Sequence, residues 1–358
     1  FMGELGYSSD DEDSYSGQQE EDEFYPLKNV YFGIQDHKYK TKVLDKDIDI
    51  NISAINGRSD LETYKHLLKY DSAYGKIKLT VDCDDKFLYL GDRKIRFFSE
   101  TIPENIPWQE EGVKIVVESS GKFNTKEKAS GHMKNGVEKV LLTAPGKNED
   151  ATIVMGVNEN IYDHSNHEII SNSSCTTNCL APVIKILEDN FQIKNGFMTT
   201  IHSYTNDQNI LDNSHKDLRR ARAGASSIIP TTTGAAKSVG KVIESVEGKL
   251  DGMAFRVPTP SCSVVDLNVV LEKKTNAKEI NDLFTKYSKL ELKGILDVTD
   301  ENLVSIDFLG NTNSSIIDLN STLEIGENMF KIVSWYDNEW GYSYRTIDLI
   351  KLMLSKMK

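Results

Sequence analysis

From residue 29 to about 159, short β-branched runs at 30–34, 48–55, 113–117, 140–142 and 152–155 alternate with polar, helix-compatible stretches. Amphipathic segments at 61–70 and 125–131 lie between them. Alternation of this kind predicts parallel β units joined by crossover helices. From about residue 196 the runs lengthen, at 197–204, 263–271, 303–308 and 331–335, with fewer helical stretches between them. That pattern reads as a second, α+β domain with a largely antiparallel sheet. Residues 344–358 place apolar Ile347, Ile350, Leu352, Met353 and Leu354 among lysines, which predicts a terminal amphipathic helix. No internal repeat is present.

The 358 residues suffice for two domains, each with its own core. A formal charge of −13 argues against nucleic acid or an anionic membrane surface as partner, since both need a positive face. Much of that charge lies in Asp10–Asp13 and Glu20–Glu23, within a stretch rich in Ser, Gln and Gly. Residues 1–24 therefore read as a disordered acidic tail, suited to a basic partner. Four cysteines without dense spacing, no basic-then-apolar leader and no membrane-length apolar run imply a reducing compartment, the cytoplasm.

The stretch 171-SNSSCTTNCLAP-182 holds the chemistry. Cys175 has three readings: a small buried hydrophobe, half of a metal site, or a nucleophile. A structural zinc site needs a second short Cys/His pair; Cys83 and Cys262 stand alone and the seven histidines complete none, so no metal is expected. The surroundings suit a nucleophile. Ser173 or Ser174 can cap a helix whose positive end favours thiolate, and His202, in 199-TTIHSYT-205 at the end of a predicted strand, can serve as base or ion-pair partner. Pro182 should kink such a helix. Arg219, Arg220 and Arg222, the run Thr231–Gly234, and Arg256 before a proline-marked turn offer cations and a helix start for a phosphate. Taken singly, each also reads as a solvated loop or an ordinary cap.

Together, SNSSCTTNCLAP, TTIHSYTNDQNILD, DLRRARAGASSIIPTTTGAAK, GMAFRVPTP and SWYDNEWGYSYR, in this order, resemble phosphorylating glyceraldehyde-3-phosphate dehydrogenase. The likeness is close from about residue 118 to 358, with a weaker echo in 65-KHLLKYDSAYGK-76. It implies a Rossmann-like N-terminal domain (25–173), an α+β catalytic domain with a mixed, largely antiparallel sheet (174–340), and a C-terminal helix (341–358) packing back on the first domain. It implies Cys175 as nucleophile and His202 as base. Ser174, Thr176, Thr233 and Gly234 match the inorganic phosphate site, and Thr205 and Arg256 the substrate phosphate site, with Arg220 near both. Ser119 and Ser120, in 118-ESSGKF-123, lie on the cofactor side; Asn338 matches the holder of the nicotinamide carboxamide, with Tyr342 beside it. Residues 204–226 match a loop lining an adjacent subunit's cofactor pocket, which implies a homotetramer.

The chain departs from the family at its nucleotide end. Across 28-KNVYFGIQDHKYKTKVLDKD-47 Gly33 is the only glycine, and no G-x-G occurs anywhere, so the turn that lets backbone approach a pyrophosphate is missing. Asp36 would repel pyrophosphate. Where the family carries an acid for the adenosine ribose, 54-AINGRSD-60 offers Gly57 and Arg58; the arginine is the residue type that accepts a 2′-phosphate. The expectation is a dehydrogenase acting on a phosphorylated aldehyde, with NAD binding weak or lost. The alternative is a dehydrogenase-like scaffold that no longer binds NAD.

Overall fold

The computed structural model describes residues 30–35, 41–43, 46–48 and 50–357; the acidic segment 1–24 and Asp36 lie outside the described residues. In chain order the first half comprises β1 (Val30–Gln35), the hairpin β2 (Thr41–Val43) and β3 (Lys46–Ile48), and β4 (Asn51–Gly57). The short pair β5 (Tyr70–Asp71) and β6 (Gly75–Lys76) follows, then β7 (Val81–Cys83), β8 (Phe87–Leu90) and β9 (Arg93–Phe98). β10 (Ile115–Glu118), β11 (Lys139–Leu142), β12 (Ala151–Thr152) and β13 (Ile169–Ser171) complete it. Nine of these strands form one sheet in the order β12-β13-β11-β10-β1-β4-β9-β8-β7.

The group β10, β11, β13 and β12 is parallel, as is the pair β4 and β9. Between them β1 runs antiparallel to both β10 and β4, with Gly33 paired to Val116 and Ala54 inside the strand. This corrects the expectation of parallel units at the centre of the sheet. A parallel neighbour requires a long crossover, usually a helix. Between β1 and β4 the described residues form a hairpin instead. Reversal sends the end of β1 to the opposite edge from the ends of β4 and β10.

Helix α1 (Leu61–Lys69) starts at Asp60, whose carboxylate accepts the Thr63 N–H at 2.8 Å. Leu61, Tyr64 and Leu68 recur at helical spacing and pack with Ile55, Val81, Leu88 and Ile95. The 125–131 segment is only briefly α-helical, as α2 (Lys126–Ala129), before tightening into a 3-10 turn that ends at Asn135. The run at 152–155 leaves the sheet after Thr152, because the Asn158 amide binds both Val154 N–H and Thr152 C=O and turns the chain.

The second half builds an eight-stranded sheet from β14 (Ile193–Ser203), β15 (Ile229–Thr232), β16 (Leu250–Val257) and β17 (Ser263–Leu271), with β18 (Leu296–Thr299), β19 (Ser315–Asp318), β20 (Leu323–Ile325) and β21 (Met329–Tyr336). Only β14/β16 and β18/β19 pair in parallel, so the sheet is mixed and largely antiparallel, as expected. Helices α3 (Cys175–Phe191), α4 (Ala235–Val242) and α5 (Ala277–Lys289) cover one face. Leu180, Val183, Ile184 and Leu187 of α3 share a core with Val265, Leu267 and Val269 of β17. The expected strand at 303–308 is instead a 3-10 turn over Ser305–Phe308. The Asp307 carboxylate accepts the Val304 N–H, and Val304 and Ile306 stay exposed, so the local cap outcompetes a ladder.

Helix α6 (Trp340–Lys356) ends the chain. Its Leu349, Ile350, Met353 and Leu354 pack against Ile115, Val117, Leu141 and Ile153, which puts the helix on the first sheet. Among the described residues, no helix is long and apolar enough to cross a membrane.

Candidate active site

Cys175 is the first residue of α3, and Ser174 caps it, with the serine hydroxyl accepting Thr177 N–H at 3.1 Å. The residue before the cap, Ser173, has φ of 56°, a left-handed conformation that is costly for serine. Tyr342 holds it there, donating its hydroxyl to the Ser173 carbonyl at 2.8 Å. Strain at this point sets the direction in which the chain enters α3. The helix continues through Pro182 without interruption; the proline only removes the N–H that would bond the Asn178 carbonyl.

His202 lies near the end of β14, in register with Arg256 on parallel β16. Its Nε2 is 3.5 Å from the Cys175 Sγ. At Nδ1 two partners crowd in: the Ser203 carbonyl at 2.7 Å and Arg256 Nη1 at 2.7 Å. The carbonyl can only accept and the guanidinium can only donate, so the two contacts ask for opposite tautomers; with its proton on Nδ1 the ring donates to the Ser203 carbonyl, which the guanidinium also reaches at 3.2 Å. That tautomer leaves the Nε2 lone pair facing the thiol. Burial, and then the positive charge of Arg256, hold His202 well below the usual imidazole range. This environment favours the neutral ring, which suits a proton acceptor. The edge of Tyr336 packs on the ring at 5.9 Å, while its hydroxyl bonds Thr176 Oγ1 and Thr200 Oγ1, each at 2.9 Å.

Cys179, one turn below Cys175, is fully buried, with Ser334 Oγ at 3.4 Å, and burial pushes its thiol up to about 12. Burial likewise raises the Cys262 and Cys83 thiols. All four cysteines are free, and the described residues contain no group of His, Cys, Asp and Glu able to hold a metal.

The phosphate candidates are only partly gathered. Thr205 follows His202 just past β14 and bonds Gln208, and Arg256 is fully buried beside the imidazole. Thr233 and Gly234 stand at the start of α4, where the Thr233 hydroxyl accepts Ala235 N–H. Arg220 is already engaged: its guanidinium binds Asp207 at 2.9 Å, Asp217 at 3.3 Å and Thr232 Oγ1 at 3.2 Å, so two carboxylates more than offset its charge.

Asn338 is fully buried; Ser263 Oγ donates to its Oδ1 at 2.7 Å, while Nδ2 has no hydrogen-bond partner among the described residues. An orphaned buried amide donor of this kind fits a carboxamide oxygen. Ser119 and Ser120 follow β10, and Glu118 Oε1 accepts both the N–H and the hydroxyl of Ser120, at 2.7 and 2.6 Å. The ribose end fits less well. Gly57 ends β4, and Asp60 spends both carboxylate oxygens on Thr63.

Three residues escaped sequence reasoning: Tyr336, Ser203 and Asp337. Tyr336 and Asp337 lie in the quoted SWYDNEWGYSYR stretch, which was the available signal. Buried Asp337 accepts hydrogen bonds from Tyr74, Ser261, Gly310, Glu339 and Trp340. Ser203 lies in the quoted TTIHSYT stretch, but it acts through its carbonyl, which residue type does not mark.

Two family models match the chain: the glyceraldehyde 3-phosphate dehydrogenase NAD binding domain over residues 38–126, and the glyceraldehyde 3-phosphate dehydrogenase C-terminal domain over 174–338. Among similar proteins, glyceraldehyde-3-phosphate dehydrogenase of Geobacillus stearothermophilus is 53% identical over 311 residues, 87% of this chain and 93% of that protein. Glyceraldehyde-3-phosphate dehydrogenase 2 of Bacillus subtilis (strain 168) is 50% identical over 312 residues, 87% of this chain and 92% of that protein.

Proposed function

Since the chain belongs to the glyceraldehyde-3-phosphate dehydrogenase family, we propose that it oxidises a phosphorylated aldehyde, glyceraldehyde 3-phosphate, through a thioester on Cys175. The observation that carries this reading is Cys175 Sγ at 3.5 Å from a neutral His202 Nε2 whose other nitrogen is tied to Ser203. The sulfur adds to the aldehyde carbon, its thiol proton passing by way of His202 Nε2 to the carbonyl oxygen as that bond's electron pair moves there, giving a thiohemiacetal. His202 Nε2 takes the hydroxyl proton as the carbon is oxidised. A nicotinamide dinucleotide, when bound, would supply the hydride acceptor; Asn338 would hold its carboxamide, and Ser119 and Ser120 would contact it on the cofactor side. Inorganic phosphate then attacks the thioester carbon, the C–S bond breaks, and the departing sulfur takes back the proton held on His202, restoring the thiol and the neutral ring. Arg256 and Thr205 hold the substrate phosphate; Ser174, Thr176, Thr233 and Gly234 hold the attacking one. Arg220 acts by bracing the 204–226 segment through Asp207 and Asp217.

The active form is a homotetramer. Ile210, Leu211 and Leu218 are 82%, 75% and 83% exposed within 204–226, and Phe197 and Met253 are exposed on neighbouring strands of the second sheet. Clustered exposed side chains of this size mark contact surfaces.

NAD binds weakly. The reversed β1 and the absent glycine turn support this, because that turn normally supplies charge-assisted N–H bonds worth about 1.5–3 kcal/mol each. Losing two costs roughly 3–6 kcal/mol, on the order of a hundredfold to more than ten-thousandfold in affinity. Titration of the purified protein with NAD should give a dissociation constant in the high micromolar to millimolar range. Retention of NAD through purification would refute that part. Iodoacetamide should label Cys175 well ahead of Cys83, Cys179 and Cys262, and His202→Asn should slow it. Equal labelling of all four would sink the thiol mechanism.

A further inference from the structure

The end of β4 differs chemically from what a free ribose diol needs. A carboxylate there would accept both hydroxyls; Gly57 has no side chain, and none can be added without rearrangement. A Cβ at Gly57 would lie 2.3 Å from the Tyr64 hydroxyl oxygen and 2.6 Å from the ring carbon bearing it. The ring is held in place: it packs on Phe97 at 5.5 Å, and the Arg58 N–H donates to its hydroxyl at 3.2 Å. Tyr64 thus fills the space a carboxylate side chain would use.

The neighbouring acids do not compensate. Asp60 caps α1 with both oxygens, and Glu62 is engaged by Lys65 at 2.6 Å and by the Cys83 thiol at 3.3 Å. Arg58, next after Gly57, is exposed, and among the described residues its guanidinium has no hydrogen bond or ion pair. The edge where the parallel strands β4 and β10 end therefore presents an arginine and a phenol hydroxyl, with its carboxylates turned to other work. A guanidinium and a phenol are donors suited to a phosphate monoester and offer a diol no acceptor as strong as a carboxylate.

We infer that the adenosine end of this site selects a ribose bearing a 2′-phosphate, with Arg58 as the specificity-determining residue and Tyr64 excluding the acidic alternative. The inference rests on the dinucleotide reading of this sheet edge and deepens it: the missing glycine turn weakens both forms of the cofactor alike, and the 2′-phosphate contact is what separates them.

The test is calorimetric titration of the full-length protein with 2′,5′-ADP and with 5′-AMP, adenosine-end probes with and without the 2′-phosphate. The expected result is at least about tenfold tighter binding of 2′,5′-ADP, a preference that weakens as salt is raised. Arg58→Ala should bring the two probes to near parity without lowering the melting temperature, since the side chain is exposed; Arg58→Lys should keep part of the preference as a point charge. Gly57→Asp combined with Tyr64→Leu should lower the ratio by about tenfold or more. Equal or tighter binding of 5′-AMP, no binding of either probe at millimolar concentration, or a preference that survives Arg58→Ala would overturn the inference. Neither probe carries a nicotinamide or reaches Cys175, so thiol labelling reports separately on the dehydrogenase reading.

Discussion

Asp337→Asn should destabilise the protein more than its conservative size suggests. The buried carboxylate gathers five donors from four segments of the chain. Oδ1 accepts Ser261 Oγ–H, Glu339 N–H and Trp340 N–H, each at 3.0 Å; Oδ2 accepts Gly310 N–H at 2.7 Å; and Tyr74 O–H reaches both oxygens, at 2.7 and 3.0 Å. An asparagine keeps one acceptor oxygen and places an NH2 where the other was. If the amide oxygen stays with α6, the NH2 faces Gly310 N–H, donor against donor. One charge-assisted bond worth about 1.5–3 kcal/mol is then lost, a buried N–H is left unpaired at about 1–3 kcal/mol, and the remaining bonds weaken. The total is roughly 3–5 kcal/mol, in line with breaking a buried charged contact. At about 2–4 °C per kcal/mol, the melting temperature should fall by about 6–20 °C. Tyr74→Phe removes one donor and leaves four, so it should cost about 1.5–3 kcal/mol at most. Scanning calorimetry on both variants checks the ordering. A shift of under about 2 °C for Asp337→Asn would refute the reasoning.

The acid limb of kcat/KM should fall below pH 6.5, the unperturbed imidazole value, because burial and Arg256 keep His202 neutral. The stability sign agrees: an unfolded His202 takes up a proton before the folded one does, so this group's contribution is complete above pH 6.5 and lost as pH falls below it. A limb at or above pH 7 in a full pH–rate profile would contradict the assignment. Leu218→Asp should drive the assembly toward smaller species in light scattering, since the charge would have to be buried at the subunit contact; an unmodified protein that is already monomeric at micromolar concentration would remove the basis for that contact.

Local pattern carried much of this protein. The helix at 61–70 was legible because Leu61, Tyr64 and Leu68 recur at helical spacing, and β17 because its alternation matches the pleat of a sheet buried on one side. A serine cap at 173 or 174 and Cys175 at a helix start follow from residue types alone, as does the missing glycine turn; the structure selects Ser174. What periodicity cannot report is strand direction or pairing across long stretches of chain. A run such as VYFGIQ reads the same parallel or antiparallel, and only its neighbours in the sheet decided that β1 runs backward between β4 and β10. The 303–308 run failed for a related reason: a single Asp307 contact to the Val304 N–H competes locally, and composition does not weigh it.

The site shows the same division. Cys175 and His202 could be named separately, but their 3.5 Å approach, the Ser203 carbonyl that selects the tautomer, and the carboxylates that occupy Arg220 depend on packing of distant segments. Tyr74 and Asp337 meet across 263 residues. Sequence alone settled which side chains were available and which were missing. Tertiary structure decided which of them remain free to act, because a charged group's chemistry depends on burial and on the partners already holding it.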